Sequence, residues 1–145
     1  MAQNVVYDHQ LLTSQDGLAS TEVLCDLQDS KGFLWFGTRN GLNRYDGKKF
    51  NLVTMLDRLR ENRIVALAED AEKLIWINYP DAEGRKESGG LTDIYNPCTG
   101  EITSLEKKYP HLPFDIENIV NLSGNREHDI YILAESKLFR LMNGN

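Results

Sequence analysis

Cysteine and histidine are scarce in this 145-residue chain, with two of the first and three of the second, and each shortage removes a class of explanation. Two cysteines are too few for a disulfide scaffold. Cys25 falls in an expected strand and Cys98 in a turn of a different repeat, so both are expected as free thiols. His9, His111 and His128 stand apart, with no HxxxH spacing and no Cys/His cluster to hold a metal. No GxSxG elbow offers a nucleophile, and no cofactor is expected. No stretch reaches the roughly 18 apolar residues of a membrane span. The residues after Met1 lack the apolar run of a signal peptide, so none is expected. Lys and Arg number 16 against 22 Asp and Glu, a net charge of −6, which argues against a nucleic-acid partner because phosphate binding relies on a basic surface. A hydrophobic content of 41% with 26% charged residues fits one ordinary globular domain rather than a disordered chain.

What the chain does have is a degenerate repeat. Its best copy, residues 16–50, reads DGLASTEVLCDLQDSKGFLWFGTRNGLNRYDGKKF. In each of three copies a β-branched residue precedes an aromatic by twelve positions, as in Val23 to Trp35, Ile64 to Trp76 and Ile119 to Tyr131. Asp29, Asp70 and Asn125 share one turn position, and Leu34, Ile75 and Ile130 share one strand position. Leu42, Leu91 and Leu138 recur further on. The copies are offset by 41 and 55 residues, close to the repeat length of propeller blades.

Within the first copy, strands are expected at 23–28, 33–37, 42–45 and 48–53. They are separated by the Asp29-to-Gly32 turn, the 38–41 turn and the Asp46-Gly47 hairpin signal. The second copy places strands at 64–68, 74–78, 91–95 and 101–105, and the third at 119–122, 129–133 and 137–141. The expected architecture is an all-β partial propeller of about three antiparallel blades, spanning 16–53, 62–105 and 117–145. The third blade is incomplete, and residues 5–13 are expected as an unpaired terminal strand of the kind that closes a propeller. Met55, Leu56, Leu59, Arg63, Ile64 and Leu67 also fit a helical stripe, and residues 58–73 are rich in good helix formers. The repeat register favours a strand from Ile64, and one helical turn within 55–60 suits both readings.

At Asp16-Gly17-Leu18, the Asp29-to-Gly32 turn, Leu34-Trp35-Phe36-Gly37-Thr38 and Gly41-Leu42-Asn43-Arg44-Tyr45-Asp46-Gly47, the chain resembles the two-component regulator propeller repeat. The later copies depart from that pattern. Asn78 stands where Gly37 does, an insertion precedes Gly90-Leu91, Tyr131 replaces the tryptophan and Lys137 replaces the glycine. The resemblance implies the N-terminal periplasmic sensor region of a hybrid two-component histidine kinase and response regulator. In such systems paired seven-bladed propellers detect glycan fragments and switch on polysaccharide-utilisation genes. It implies a periplasmic location, the remaining blades and signalling domains of a parent as partners, and no enzymatic activity in this segment, which holds no kinase or receiver sequence.

Alternating strand direction puts the first-to-second and third-to-fourth strand turns on one face, and the second-to-third turns and interblade links on the other. All long excursions, at 54–61, 79–89 and 106–117, belong to the second class, and such asymmetry often marks a binding face. The candidate ligand residues there are Arg39, Asn40, Arg60, Tyr79, Asp81, Arg85, Lys86, Tyr109 and His111. Aromatic faces suit the apolar side of a pyranose, and Asn, Asp and Arg suit its hydroxyls. Trp35 and Trp76 are expected in the core because they recur at one repeat position. Glu83 and Glu87 would be a carboxylate pair for a glycosidase, but they fall in a loop rather than on rigid strands. The alternative to a glycan sensor is a protein-interaction module. Open blade sides and an unpaired strand would favour self-association, with strand exchange through residues 5–13.

Overall fold

The computed structural model describes residues 4, 6–80 and 91–142. Three antiparallel sheets follow one another along the chain. Sheet 1 holds Val23–Gln28 (β1), Leu34–Thr38 (β2), Gly41–Tyr45 (β3) and Phe50–Val53 (β4). Sheet 2 holds Ala66–Glu69 (β5), Ile75–Asn78 (β6), Thr92–Tyr95 (β7) and Ile102–Ser104 (β8). Sheet 3 holds Ile119–Gly124 (β9), Ile130–Ala134 (β10) and Lys137–Leu141 (β11). Each is a meander in sequence order, and the first strands β1, β5 and β9 run side by side. This is the all-β, partial-propeller arrangement expected from the repeat.

The cross-strand register explains the twelve-residue spacing. Trp35 lies opposite Leu27, Trp76 opposite Ala68 and Tyr131 opposite Ser123, so in every sheet the aromatic faces the residue four places after the β-branched one. The turn between these strands is also repeated. Asp29 Oδ1 accepts from the N–H groups of Lys31 and Phe33, both at 2.9 Å, while Oδ2 accepts the Trp35 indole N–H at 2.8 Å. Asp70 does the same with Glu72, Leu74 and Trp76. In sheet 3, Asn125 Oδ1 accepts from Glu127 and Asp129, but its amide nitrogen is a donor and could not receive an indole N–H. It donates instead to Asp129 Oδ2 at 3.1 Å and to the Tyr131 hydroxyl at 3.5 Å, both of which can accept.

Sheet faces are sorted accordingly. Trp35 is 1% exposed and points with Leu42 toward sheet 2, where Leu67, Ile75 and Ile77 meet it. Trp76 and Ile94 point onward to Ile130, Ile132 and Ala134 of sheet 3. Gly37 is required at the first junction, since a Cβ there would sit 2.3 Å from Cys25 Sγ and 2.6 Å from Ile64 Cγ2.

The links differ. Thr54 and Asp57 form a capping box around the single helical turn Met55–Asp57, and Thr13 and Asp16 form the same box around Ser14–Asp16. After each, Arg58 (φ 79) and Gly17 (φ 105) take the left-handed conformation. The strand expected from Ile64 begins at Ala66, although Ile64 already donates to Thr38 O and Val65 to Asn78 O. The strand expected to reach Leu105 stops at Ser104, because Leu105 opens a short helix, Leu105–Lys108 (α1), and is fully buried. Residues 6–13, expected as a strand, form none. Val6 and Leu11 are 90% and 81% exposed, with no apolar face of this segment packed on a sheet. Val5 lies outside the described residues.

Asp70→Asn is expected to keep the turn but set an amide donor against the indole N–H. It should lower stability by about 1–3 kcal/mol, and Asp70→Ala, which also removes the turn acceptor, should cost more. Urea unfolding followed by tryptophan fluorescence measures both.

Candidate functional site

Two of the sequence-predicted residues meet at one acid. Asp93 on β7 is 2% exposed, and its Oδ1 accepts from Arg60 Nε at 2.7 Å. Its Oδ2 accepts from the Arg60 backbone N–H at 3.1 Å and from the Tyr79 hydroxyl at 2.8 Å. The remaining guanidinium nitrogens of Arg60 reach Glu106 Oε1 at 2.8 Å and the Thr92 carbonyl. Burial, and next the Asp93 carboxylate, push the Tyr79 hydroxyl well above its ordinary pKa, so it remains a donor. This group ties the sheet 1 to sheet 2 link onto β7, and its hydrogen-bonding capacity is turned inward.

The other predicted residues are dispersed. Arg39 pairs with Glu22 at 3.0 Å, with both side chains more than half exposed, a geometry that contributes little to stability. Asn40 is exposed in the β2–β3 turn, where its N–H donates to Thr38 Oγ1. Tyr109 stacks on Trp76, with centroids 5.7 Å apart and planes at 28°, and neighbouring Lys108 bonds Glu72 of the β5–β6 turn at 2.9 Å. Tyr109 is therefore drawn toward the turn end of sheet 2, away from Arg60. His111 is exposed. Asp81, Arg85 and Lys86 lie outside the described residues, as do Glu83 and Glu87.

A groove that sequence reasoning missed lies at the opposite end, where the β1–β2, β5–β6 and β9–β10 turns converge. It encloses about 550 Å³. Glu69, 6% exposed, is its hub. Its carboxylate accepts from the Ser30 N–H at 3.0–3.1 Å and from the Ser30 hydroxyl at 3.3 Å, and lies 3.3 Å from His128 Nδ1. His128 Nε2 is 3.3 Å from Lys73 Nζ. An ammonium only donates, so Nε2 accepts and Nδ1 carries the hydrogen that points at Glu69. Asp26, Gln28, Ser123 and Arg126 line the groove with exposed polar side chains. A carboxylate, an amide, a hydroxyl and a guanidinium around one opening can donate to and accept from a hydroxyl-rich ligand.

No protein-family model matches the chain. A stretch of 51 residues is 43% identical to Histidine kinase P4 of Formosa agariphila, which covers 35% of this chain and 4% of that protein. Among solved structures, the chain is similar to the extracellular domain of a hybrid two-component system from B. thetaiotaomicron. The TM-score is 0.64 and the identity 14%, over 91% of this chain and 17% of that one. The fold is that of a two-component system's extracellular domain. A second extracellular domain from the same organism, of a one-component system, aligns at a TM-score of 0.49 and 14% identity over 88% of this chain and 24% of that one. The chain thus spans a small fraction of each protein it matches. The domain matched at the TM-score of 0.64 is an extracellular one. No helix among the described residues is long and apolar enough to cross a membrane.

The two thiols of this fold have different surroundings. Cys25 is packed between β1 and the sheet 1 to sheet 2 link, and burial pushes its pKa up to about 12, whereas Cys98 is exposed. A thiol reagent at pH 8 is expected to label Cys98 in the folded protein and Cys25 only after unfolding, which peptide mass mapping would show. Arg60→Ala leaves the Asp93 carboxylate buried without its cation. It is expected to destabilise the chain by roughly 3 kcal/mol in urea unfolding.

Proposed function

We propose that the chain is part of the ligand-recognising extracytoplasmic region of a two-component sensor and that its ligand is a glycan-derived oligosaccharide. The observation that carries this reading is the fold match over 91% of the chain to a two-component extracellular domain. The 51-residue likeness to a histidine kinase supports it. In this reading the chain has no catalytic task. It binds, and kinase and regulator segments elsewhere in the signalling system act. An oligosaccharide suits the groove at the turn end because Asp26, Gln28, Ser123 and Arg126 offer mixed donors and acceptors beside the apolar side chains of Leu27 and Leu67. Arg39, Asn40 and His111 at the link end are the second surface for such a ligand, while Arg60 and Tyr79 hold the links in place.

Titration calorimetry of the purified chain against a panel of plant and host oligosaccharides tests the proposal. One sugar class is expected to bind, and Asp26→Ala or Arg126→Ala is expected to weaken it at least tenfold while leaving the melting temperature of the free protein unchanged. Weakening by Arg39→Ala with Asn40→Ala instead would move the site to the link end. Silence across the panel would overturn the glycan reading.

A further inference from the structure

The turn that recurs in all three sheets supplies an internal comparison for one arginine. The Asp29, Asp70 and Asn125 N–H groups each donate to the carbonyl four residues on, at Phe33, Leu74 and Asp129, so those three residues hold one position. On the neighbouring strand, Arg44 lies opposite Trp35, Ile94 opposite Trp76 and Arg140 opposite Tyr131. Sheet 3 has a charge at both positions, and Arg140 Nε bonds Asp129 Oδ2 at 2.9 Å. Sheet 2 has a charge at neither, with Leu74 and Ile94 there instead. Sheet 1 keeps the cation and lacks the acid. The Arg44 guanidinium lies over the Phe33 ring, 4.8 Å from its centroid, and 5.9 Å from that of Trp35.

A ring face attracts the charge of a guanidinium but leaves its in-plane N–H groups unsatisfied. The Arg44 Nε is buried without a hydrogen-bond partner, and among the described residues no carboxylate pairs with this side chain. The chain does not lack acids, with 22 against 16 bases. Two further cations face the same opening. Lys31 of the β1–β2 turn and Lys73 of the β5–β6 turn line, with Phe33, Arg44 and Cys98, a cleft of about 40 Å³ between sheets 1 and 2. Both lysines are exposed. Lys31 Nζ reaches Cys98 Sγ at 3.6 Å and Lys73 Nζ reaches His128 Nε2 at 3.3 Å, a sulfur and a ring nitrogen rather than a carboxylate. The two acids at the cleft are Asp29 and Glu69. Asp29 is already engaged by two backbone N–H groups and an indole, and Glu69 by Ser30 and His128.

We infer that this cleft binds an oxyanion group, a carboxylate or a sulfate, which takes the place that Asp129 fills in sheet 3. A planar guanidinium offers such a group parallel N–H bonds, and the two lysines add charge from the flanking turns. A volume of about 40 Å³ is on the order of one small group and excludes a sugar ring, so a sugar enters only through an acidic substituent. The cleft shares Asp29 and Glu69 with the turn-end groove and therefore lies beside it. It recognises charge whatever carries it, and so does not depend on the glycan reading of that groove.

Heteronuclear NMR of the isotopically labelled full chain follows the Arg44 Nε–H and the backbone amides during titration with sulfate, glucuronate and glucose at constant ionic strength. Saturable shifts of the Arg44 Nε–H and of the Phe33 and Cys98 amides are expected with sulfate, glucuronate or both, and none with glucose. A response to sulfate alone identifies a free inorganic anion as the ligand, and a response to glucuronate identifies the acidic substituent of a sugar. Lys31→Gln with Lys73→Gln is expected to weaken binding at least tenfold with the amide spectrum otherwise unchanged, and Arg44→Gln to abolish it. Phe33→Asp, which supplies the acid that sheet 3 has, is expected to abolish binding with Arg44 still in place. Absence of a saturable shift from either anion overturns the inference, and so does binding that survives Arg44→Gln or is undiminished in the lysine pair. A neutral oligosaccharide that binds through Asp26 and Arg126 is untouched by that failure, so the two readings fail separately.

Discussion

A buried carboxylate that holds a turn and an indole at once is the interaction on which the rest of this structure depends. Asp29 and Asp70 each bind two backbone N–H groups with one oxygen and a tryptophan with the other. The turn therefore fixes the hairpin, the hairpin fixes the register, and the register decides which face carries the aromatic. A one-residue slip would turn every tryptophan to the wrong side. Sheet 3 retains the device with its polarity adjusted, since an amide that donates meets the Asp129 carboxylate and the Tyr131 hydroxyl, both able to accept. Conserving hydrogen-bond complementarity, rather than side-chain identity, is what keeps the third sheet in step.

The same turns generate the groove. Their fourth residue is left-handed in all three copies, at Gly32 (φ 88), Lys73 (φ 65) and His128 (φ 63). Glycine adopts this conformation freely, and an L side chain does so at a cost of about 1–2 kcal/mol. Where the strain is accepted, the side chain gained is used. Lys73 meets His128, and His128 approaches Glu69, which also accepts from Ser30, so the turns of neighbouring sheets are joined through polar contacts to β5. At the link end the corresponding task falls to Asp93, Arg60 and Tyr79. The stack is held by polar clamps at both ends and by apolar contacts between them.

Local chemistry was legible in the sequence, and long-range chemistry was not. The β1 limits, the Asp29 turn, the burial of Trp35 and Trp76 and the helical turn after Thr54 all follow from residues within about a dozen positions of one another. Arg60 and Tyr79 were readable as polar and aromatic residues at the correct end. Nothing nearby announces that both converge on Asp93, 33 residues from one and 14 from the other. The groove escaped notice because its lining is drawn from turns of three repeats, each unremarkable by itself. The strand expected through Leu105 gave way to a helix because a fully buried leucine between sheets 2 and 3 outweighs continuation of an outer strand. The paired capping boxes at Thr13 and Thr54 were visible at their common offset of 41, and they alone would have marked Thr54 to Leu59 as a repeated element.

Each sheet turns its repeated aromatic, Trp35, Trp76 or Tyr131, to one side and the strand residues that alternate with it to the other, always in the same order along the chain. The stack consequently has a direction, as a row of identical coins has heads facing one way. Its two ends are different surfaces, so a pair related by a twofold axis brings like against like and does not prolong the stacking. Contacts that prolong the stacking are heterologous. Whether they terminate is a question of angle, because a constant rotation per sheet that divides a full turn closes a ring, and any other rotation leaves an open helix. The rotation from one sheet to the next thus governs how many sheets complete a circle.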